Sequence, residues 1–285
     1  MAEKLPVPQA SALPAKGFDY GQMSGAGYEG TTQSDFAIPL LALLQTQSPQ
    51  VLPGDPRQIK GAQPGMFLNT VTGEVIPSTP GIIFVPIVTK HVFVEFTPRD
   101  KGGGFRGVHE LESDVVTQAK SGGTKFGVRI TNEGNELSET FYVYGYSLES
   151  PDSIEPASPL VIPFVSSKIK VYRHFMQTLR TYRVNTGSGL KSPPLFANRL
   201  QITSTGERKP KGTFFNFVVK PLIEGDVGKS LIPPTLADGQ PNPLLVAAFE
   251  FKQGVLSGKR TTAEDASGAA HSKSAEAEGD DSVFT

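Results

Sequence analysis

Three stretches of this 285-residue chain interleave cations with aromatic rings. "PRDKGGGFRG" sets Arg99, Lys101 and Arg106 around Phe105. "KIKVYRHFMQTLRTYR" sets Lys168, Lys170, Arg173, His174, Arg180 and Arg183 among Tyr172, Phe175 and Tyr182. "ERKPKGTFFNF" sets Arg208, Lys209 and Lys211 beside Phe214, Phe215 and Phe217. The chemistry such pairs can do is to hold an unpaired nucleic-acid strand. Cations track the phosphates, and rings stack on bases at about 1–3 kcal/mol per base, whatever the sequence.

Each stretch also has a plainer reading. Phe105 follows three glycines and lacks apolar neighbours, so it reads as a stacking or lid residue rather than core. In the second stretch, helical spacing puts Ile169, Tyr172, Phe175, Met176 and Leu179 on one arc, which is core. Lys170, Arg173, His174, Gln177 and Arg180 take the opposite arc. A solvated face usually mixes signs, yet residues 166–183 contain no acid at all. In "TFFNFVV", strand alternation puts Phe215 and Phe217 on one face. One of the two faces is core, and the sequence leaves open which; Phe215 is taken as a stacking candidate.

Catalytic motifs find little support. "KGGGFRG" lacks the Gly-Lys-Ser/Thr ending and the following helix of a phosphate loop. There is no cysteine, and the four histidines (His91, His109, His174, His271) show no metal-ligand spacing. Nothing resembles a GxSxG elbow. A serine–histidine–acid triad assembled only by the fold stays open. The expectation is a non-catalytic protein with no cofactor or metal.

The chain ends "EAEGDDSVFT": four carboxylates, then Phe284 one residue from the end. Residues 257–285 carry three basic and six acidic side chains, whereas residues 151–220 hold eleven Lys/Arg against three Asp/Glu. A basic body and an acidic, aromatic-tipped end can compete for each other, and strand binding would release the end to partners. The ending "DDSVFT" resembles the acidic, phenylalanine-tipped tails of single-stranded DNA-binding proteins of bacteria and bacteriophages. "PGMFLNTVTGEV", "TPRDKGGGFRG" and "SSKIKVYRHF" look like the phage-encoded branch of that family over residues 36–256. The resemblance implies an OB-fold body and a tip, here Asp280, Asp281 and Phe284, that recruits replication or recombination proteins. It departs where Thr285 follows the aromatic, which changes what a carboxylate-reading pocket would meet. The rival reading is a virion structural or decoration protein, also cysteine-poor and glycine-rich.

The elements that must position these residues read as mainly β with a few short helices. Glycine (30) and proline (24) are abundant, which favours strands and turns. Residues 1–35 read as a disordered arm, 36–256 as the nucleic-acid-binding domain, and 257–285 as a disordered acidic tail. Within the domain, 36–51 reads as a short docked helix and "NTVTGE" as a hairpin tip. Residues 81–96 read as a strand with Val92, Val94 and Phe96 on one face and His91, Phe93 and Glu95 on the other. Further strands are expected at "TKFGVRIT", "ETFYVYGYSLE", "SPLVIPFV" and on both sides of the 208–211 turn. "NTGSGLKSPP" reads as a disordered turn region, and 243–258 as a helix ended by glycine. The architecture expected is an OB-like small β-barrel with insertions, or alternatively a β-sandwich. No apolar run is long enough to span a bilayer, and the first residues lack a signal peptide's apolar core. The expected setting is cytoplasmic (the host's, if phage-encoded), with a homo-oligomer left open.

Overall fold

The computed structural model describes residue 27 and residues 37–121, 128–209, 212–223, 226–260 and 262–263, with the side chains of 99, 121, 209 and 227 left aside. The 1–35 arm, apart from residue 27, and the tail from 264 onward lie outside the described residues.

The central element is made by the sequence "IIFVPIVTKHVFVEF", dense in β-branched and aromatic residues. It forms a strand of 15 residues, Ile82–Phe96. Three short strands precede it: β1 (Leu41–Leu43), β2 (Phe67–Asn69) and β3 (Val75–Ile76). The long strand is therefore β4. It pairs along its length with another of 13 residues, Glu136–Leu148. Between the two lie β5 (Phe105–Glu110), α1 (Asp114–Gln118), β6 (Lys120–Ser121) and β7 (Val128–Ile130), so the partner is β8. β9 (Ser158–Val165) extends the sheet beyond β8.

Proline cannot donate to a ladder, and the β4–β8 register shifts between Pro86 and Val88. Gly145 stands opposite Pro86. A Cβ on it would run into the Val85 carbonyl and the Phe84 ring. The shift exchanges the faces of β4. Before it, Ile82 and Phe84 face the core shared with α2 (Lys168–Thr181). After it, Val92 and Val94 face the other core. His91 and Phe93 then lie opposite to them, on the α2 side, as the alternation predicts.

Helix α2 packs Ile169, Phe175 and Leu179 inward, confirming the apolar arc read from the sequence. It follows β9 through Ser166, whose φ is 55°. After α2 come β10 (Val184–Thr186) and β11 (Gly189–Lys191), which pair as a hairpin. The "NTGSGLKSPP" stretch is thus an ordered hairpin, not a disordered turn region; the Thr186 hydroxyl donates to the Gly189 carbonyl at 2.8 Å and closes it. β12 (Leu200–Lys209) and β13 (Gly212–Pro221) form a ten-pair hairpin. The inward face of β13 is settled: Phe217 is buried and Phe215 packs beside it. Phe217 lies 5.9 Å from Phe67 and 5.4 Å from Phe164, ring to ring.

The opposite face is covered by a helix at Pro243–Leu256, which follows the short α3 (Val227–Ser230) and is therefore α4. The Asn242 side chain accepts from Leu244 N at 3.0 Å and caps it. Leu244, Ala248, Phe251 and Val255 bury against Tyr146 and its neighbours. The body continues past α4: Arg260 lies over the Phe251 ring, and Thr262 is buried beside Ile38.

The fold is mainly β, as expected, but two readings need correction. Within the 36–51 segment, the described residues 37–51 form no α-helix. Leu40 bridges Val161 in parallel, 41–43 pair with β2, and only Pro49–Val51 make a single 3-10 turn. The edge of β9 takes this segment as a strand partner, which outweighs its helical spacing. Nor does any sheet among the described residues close into the expected barrel. The large sheet runs β13-β12-β4-β8-β7-β6, with β5 beside β4 and β9 beside β8. At the seam between β13 and the end of β1 stands one side chain. The Gln45 amide donates to Phe215 O at 3.1 Å and accepts from Phe215 N at 2.8 Å.

Gly145→Ala tests the close approach under Phe84. Overpacking at this point should cost about 1–3 kcal/mol or more, read as a lowered midpoint in urea unfolding; an unchanged midpoint would show that the strands can part without loss.

Candidate nucleic-acid interface

The cations of α2 stand on its outer arc. Lys170, Arg173, His174 and Arg180 are all exposed, and among the described residues Lys170, His174 and Arg180 enter no ion pair. Arg173 leans over the Phe141 ring at 6.0 Å and comes within 3.9 Å of Glu139. Between α2 and β13 runs a cleft of about 460 Å³, lined among others by Ser167, Lys170, His174, Asn216, Lys220 and Glu207. Glu207 brings one carboxylate into it, held by Asn216 at 3.0 Å. Arg208 is exposed on the same hairpin, one residue beyond. Of the turn residues, Lys211 lies outside the described residues, as does the side chain of Lys209.

The fold sets α2 against the β12–β13 hairpin and puts the 97–104 loop at the opposite end of β4 from that hairpin. β12 meets β4 at Ile82–Phe84 and runs on past its start, whereas the 97–104 loop caps its other end. Fifteen strand residues at ~3.3 Å each put roughly 50 Å between the hairpin and the loop, while Arg173 of α2, near Glu139 opposite Phe93, stands toward the loop's end of β4. In that loop Lys101 is exposed, and Arg106 Nε donates to Thr97 Oγ1 at 2.9 Å. The Arg99 side chain is outside the described ones. Phe105 is not isolated as its glycine-rich context suggests. It begins β5, half-buried, with its ring edge-on to Phe96 at 6.1 Å.

Three further candidates are tied into the body. Lys168 Nζ sits 5.8 Å over the Phe217 ring, and burial pushes its pKa below the ordinary lysine range. Arg183 donates to the carbonyls of Arg180 (2.6 Å) and Tyr182 (2.8 Å) and to Ser192 Oγ (2.7 Å), closing the C-terminus of α2. Phe215 is clamped at both backbone groups by Gln45, and its ring covers Gly65. Asp280, Asp281 and Phe284 lie outside the described residues.

Sequence reasoning missed a row of rings on the α2 side of the sheet. His91 and Phe141 are cross-strand partners, stacked at 4.1 Å and 15°. Phe141 stacks in turn on Tyr172 at 4.5 Å and 22°, and Phe93 continues the row 6.4 Å from His91. Arg129 lies over Phe93 at 4.8 Å. The alternation of β4 placed His91 and Phe93 on one face, but the register against β8 that brings Phe141 alongside is not written in either segment. Two histidine–glutamate pairs share this side: His91 Nε2 with Glu139 at 3.0 Å, and His109 Nε2 with Glu95 at 2.7 Å. Asn135 also donates to Glu95, at 2.8 Å. Among the described residues no group of three or more acidic and histidine side chains is placed to hold a metal ion.

The family model of Pam3 phage gp34-like proteins matches residues 8–259, and the chain belongs to that family. It is thus a bacteriophage-type protein. No curated protein and no solved structure matches it.

Lys168→Met separates the buried cation from the exposed ones. The charged amine loses hydration but keeps a ring beneath it, so the variant's stability near neutral pH should stay within about 1 kcal/mol of the parent. Because the unfolded lysine holds its proton more tightly, the parent should gain stability as pH rises through the lowered folded pKa toward the ordinary lysine range. The Met variant should lack that rise in urea titrations taken at stepped pH.

Proposed function

We propose that this phage protein binds single-stranded DNA without catalysing a reaction on it, in replication or recombination. The observation that carries the reading is the cleft between the acid-free arc of α2 and the β12–β13 hairpin, where Lys170, His174 and Lys220 gather. Lys170 and His174 face β13 across it, while the aromatic row starts with Tyr172 on another side of the same helix. Phosphates would follow Lys170, His174, Arg180 and Arg208, while bases lie toward Phe141 and His91. Duplex DNA, with its bases stacked inside, would use the cations alone. The acidic tip, Asp280, Asp281 and Phe284, would recruit replication or recombination proteins.

A second reading, a virion structural protein, has one observation in its favour. α4 leaves Val246, Phe249 and Leu256 about half exposed on its outer side, as an interface between assembled subunits would. A labelled single strand, titrated against duplex of equal length, separates the two: an assembly protein binds neither.

Lys170→Glu combined with Arg180→Glu should weaken single-strand binding at least about tenfold at moderate salt. The slope of log affinity against log salt should fall by ~0.7 for each phosphate that the variant no longer neutralises. Lys101→Glu, at the far end of β4, should change it far less. An equal loss of affinity in both variants would mean that the α2 cleft is not the path. Removing residues 276–285 should leave strand binding intact or tighter; weaker binding would count against a competing tail.

A further inference from the structure

We infer that the cleft at the Phe93 end of the aromatic row is a pocket for one amino-bearing nucleobase, taking cytosine, adenine or guanine in preference to thymine. This inference rests on the single-strand reading above. The cleft encloses about 490 Å³. Phe93, buried, forms part of its lining, with the Arg129 guanidinium over the ring. Arg129 is fixed there by Nη1 donating to Val116 O at 2.9 Å. Leu111, Ala119 and Val128 supply apolar walls, and Leu111 is 41% exposed, open to whatever enters.

The polar end of the cleft is Glu139 beside His91. The Glu139 side chain is only 19% exposed. Its Oε1 accepts from His91 Nε2 at 3.0 Å and lies 3.9 Å from Arg173 Nη2. Its Oε2 has no partner among the described residues. A carboxylate largely withdrawn from water, with one oxygen unused, favours a ligand that brings a donor. Apolar walls suit the faces of a planar ring. The exocyclic amine of cytosine, adenine or guanine donates to a carboxylate; thymine has none, and turns carbonyl oxygens to it on both sides of its single ring N–H. The aromatic row runs from Tyr172 of α2 through Phe141 and His91 to Phe93 in this pocket, so a strand held along α2 would have rings between it and the pocket.

The test titrates labelled oligodeoxycytidylate and oligodeoxythymidylate of equal length against the full chain at neutral pH. The cytosine strand should bind about tenfold more tightly, the effect of one well-formed hydrogen-bonded pairing with a base edge. Glu139→Gln, whose amide can donate to thymine, should erase that preference while keeping thymidylate affinity, with thermal melting as the check on folding. Equal affinity of the parent for the two strands, or a preference that survives in a folded Gln variant, overturns the pocket and leaves strand binding standing. Failure to bind either strand overturns both. The preference of the unmodified protein decides the matter whether or not the variant folds.

Discussion

The pairing of β4 with β8 is the constraint from which the rest of the molecule takes its layout. These two strands carry residues of both main cores, one on each face. Pro86 interrupts the ladder and Gly145 lets the neighbouring backbone and the Phe84 ring close over the gap. The single-residue shift in register that results decides which side chains of β4 look toward α2. Had the alternation run through unbroken, His91 and Phe93 would have turned to the α4 side, and Val92 and Val94 would have faced outward beside Arg173. The ring row therefore depends on a proline and a glycine that touch none of its members.

Helix α2 is put together against local preference. Its first turn holds Lys168 and no acid, although the positive end of a helix dipole disfavours cations there by about 0.3–1 kcal/mol each. Ser167 makes no capping bond. What holds the helix is tertiary: Phe175 and Leu179 packed in the core with β9 and β13, Ile169 buried, and Arg183 gathering the carbonyls at its far end.

Much of the layout was legible from periodicity. Strands β4, β8, β9, β12 and β13 and helices α2 and α4 stand where alternation or helical spacing put them. Segment 36–51 was not legible, because its spacing is helical while its conformation is dictated by Val161, more than a hundred residues away. The β10–β11 hairpin hid in a glycine-rich turn for a similar reason. In the site, the charge pattern put Lys170, Arg173, His174 and Arg180 on the outer arc of α2, where they stand exposed. It could not tell that Lys168 and Phe215 are drawn inward, or that the 99–106 stretch lies at the opposite end of β4 from the β12–β13 hairpin. His91, Phe141, Arg129 and Glu139 gave no signal, since each is ordinary in its own segment and acquires company only through strand register.

The Gln45 amide has a consequence for how the body comes apart. Strand β13 is held to β12 by a backbone ladder, but on its other edge it meets the end of β1 through the Gln45 carboxamide, which imitates a peptide group. Two hydrogen bonds at one residue can break without unzipping any strand. The shell thus has a built-in latch: it can spread at this line while its pleated wall stays whole, and slow amide hydrogens should persist on the wall long after those beside the latch have exchanged.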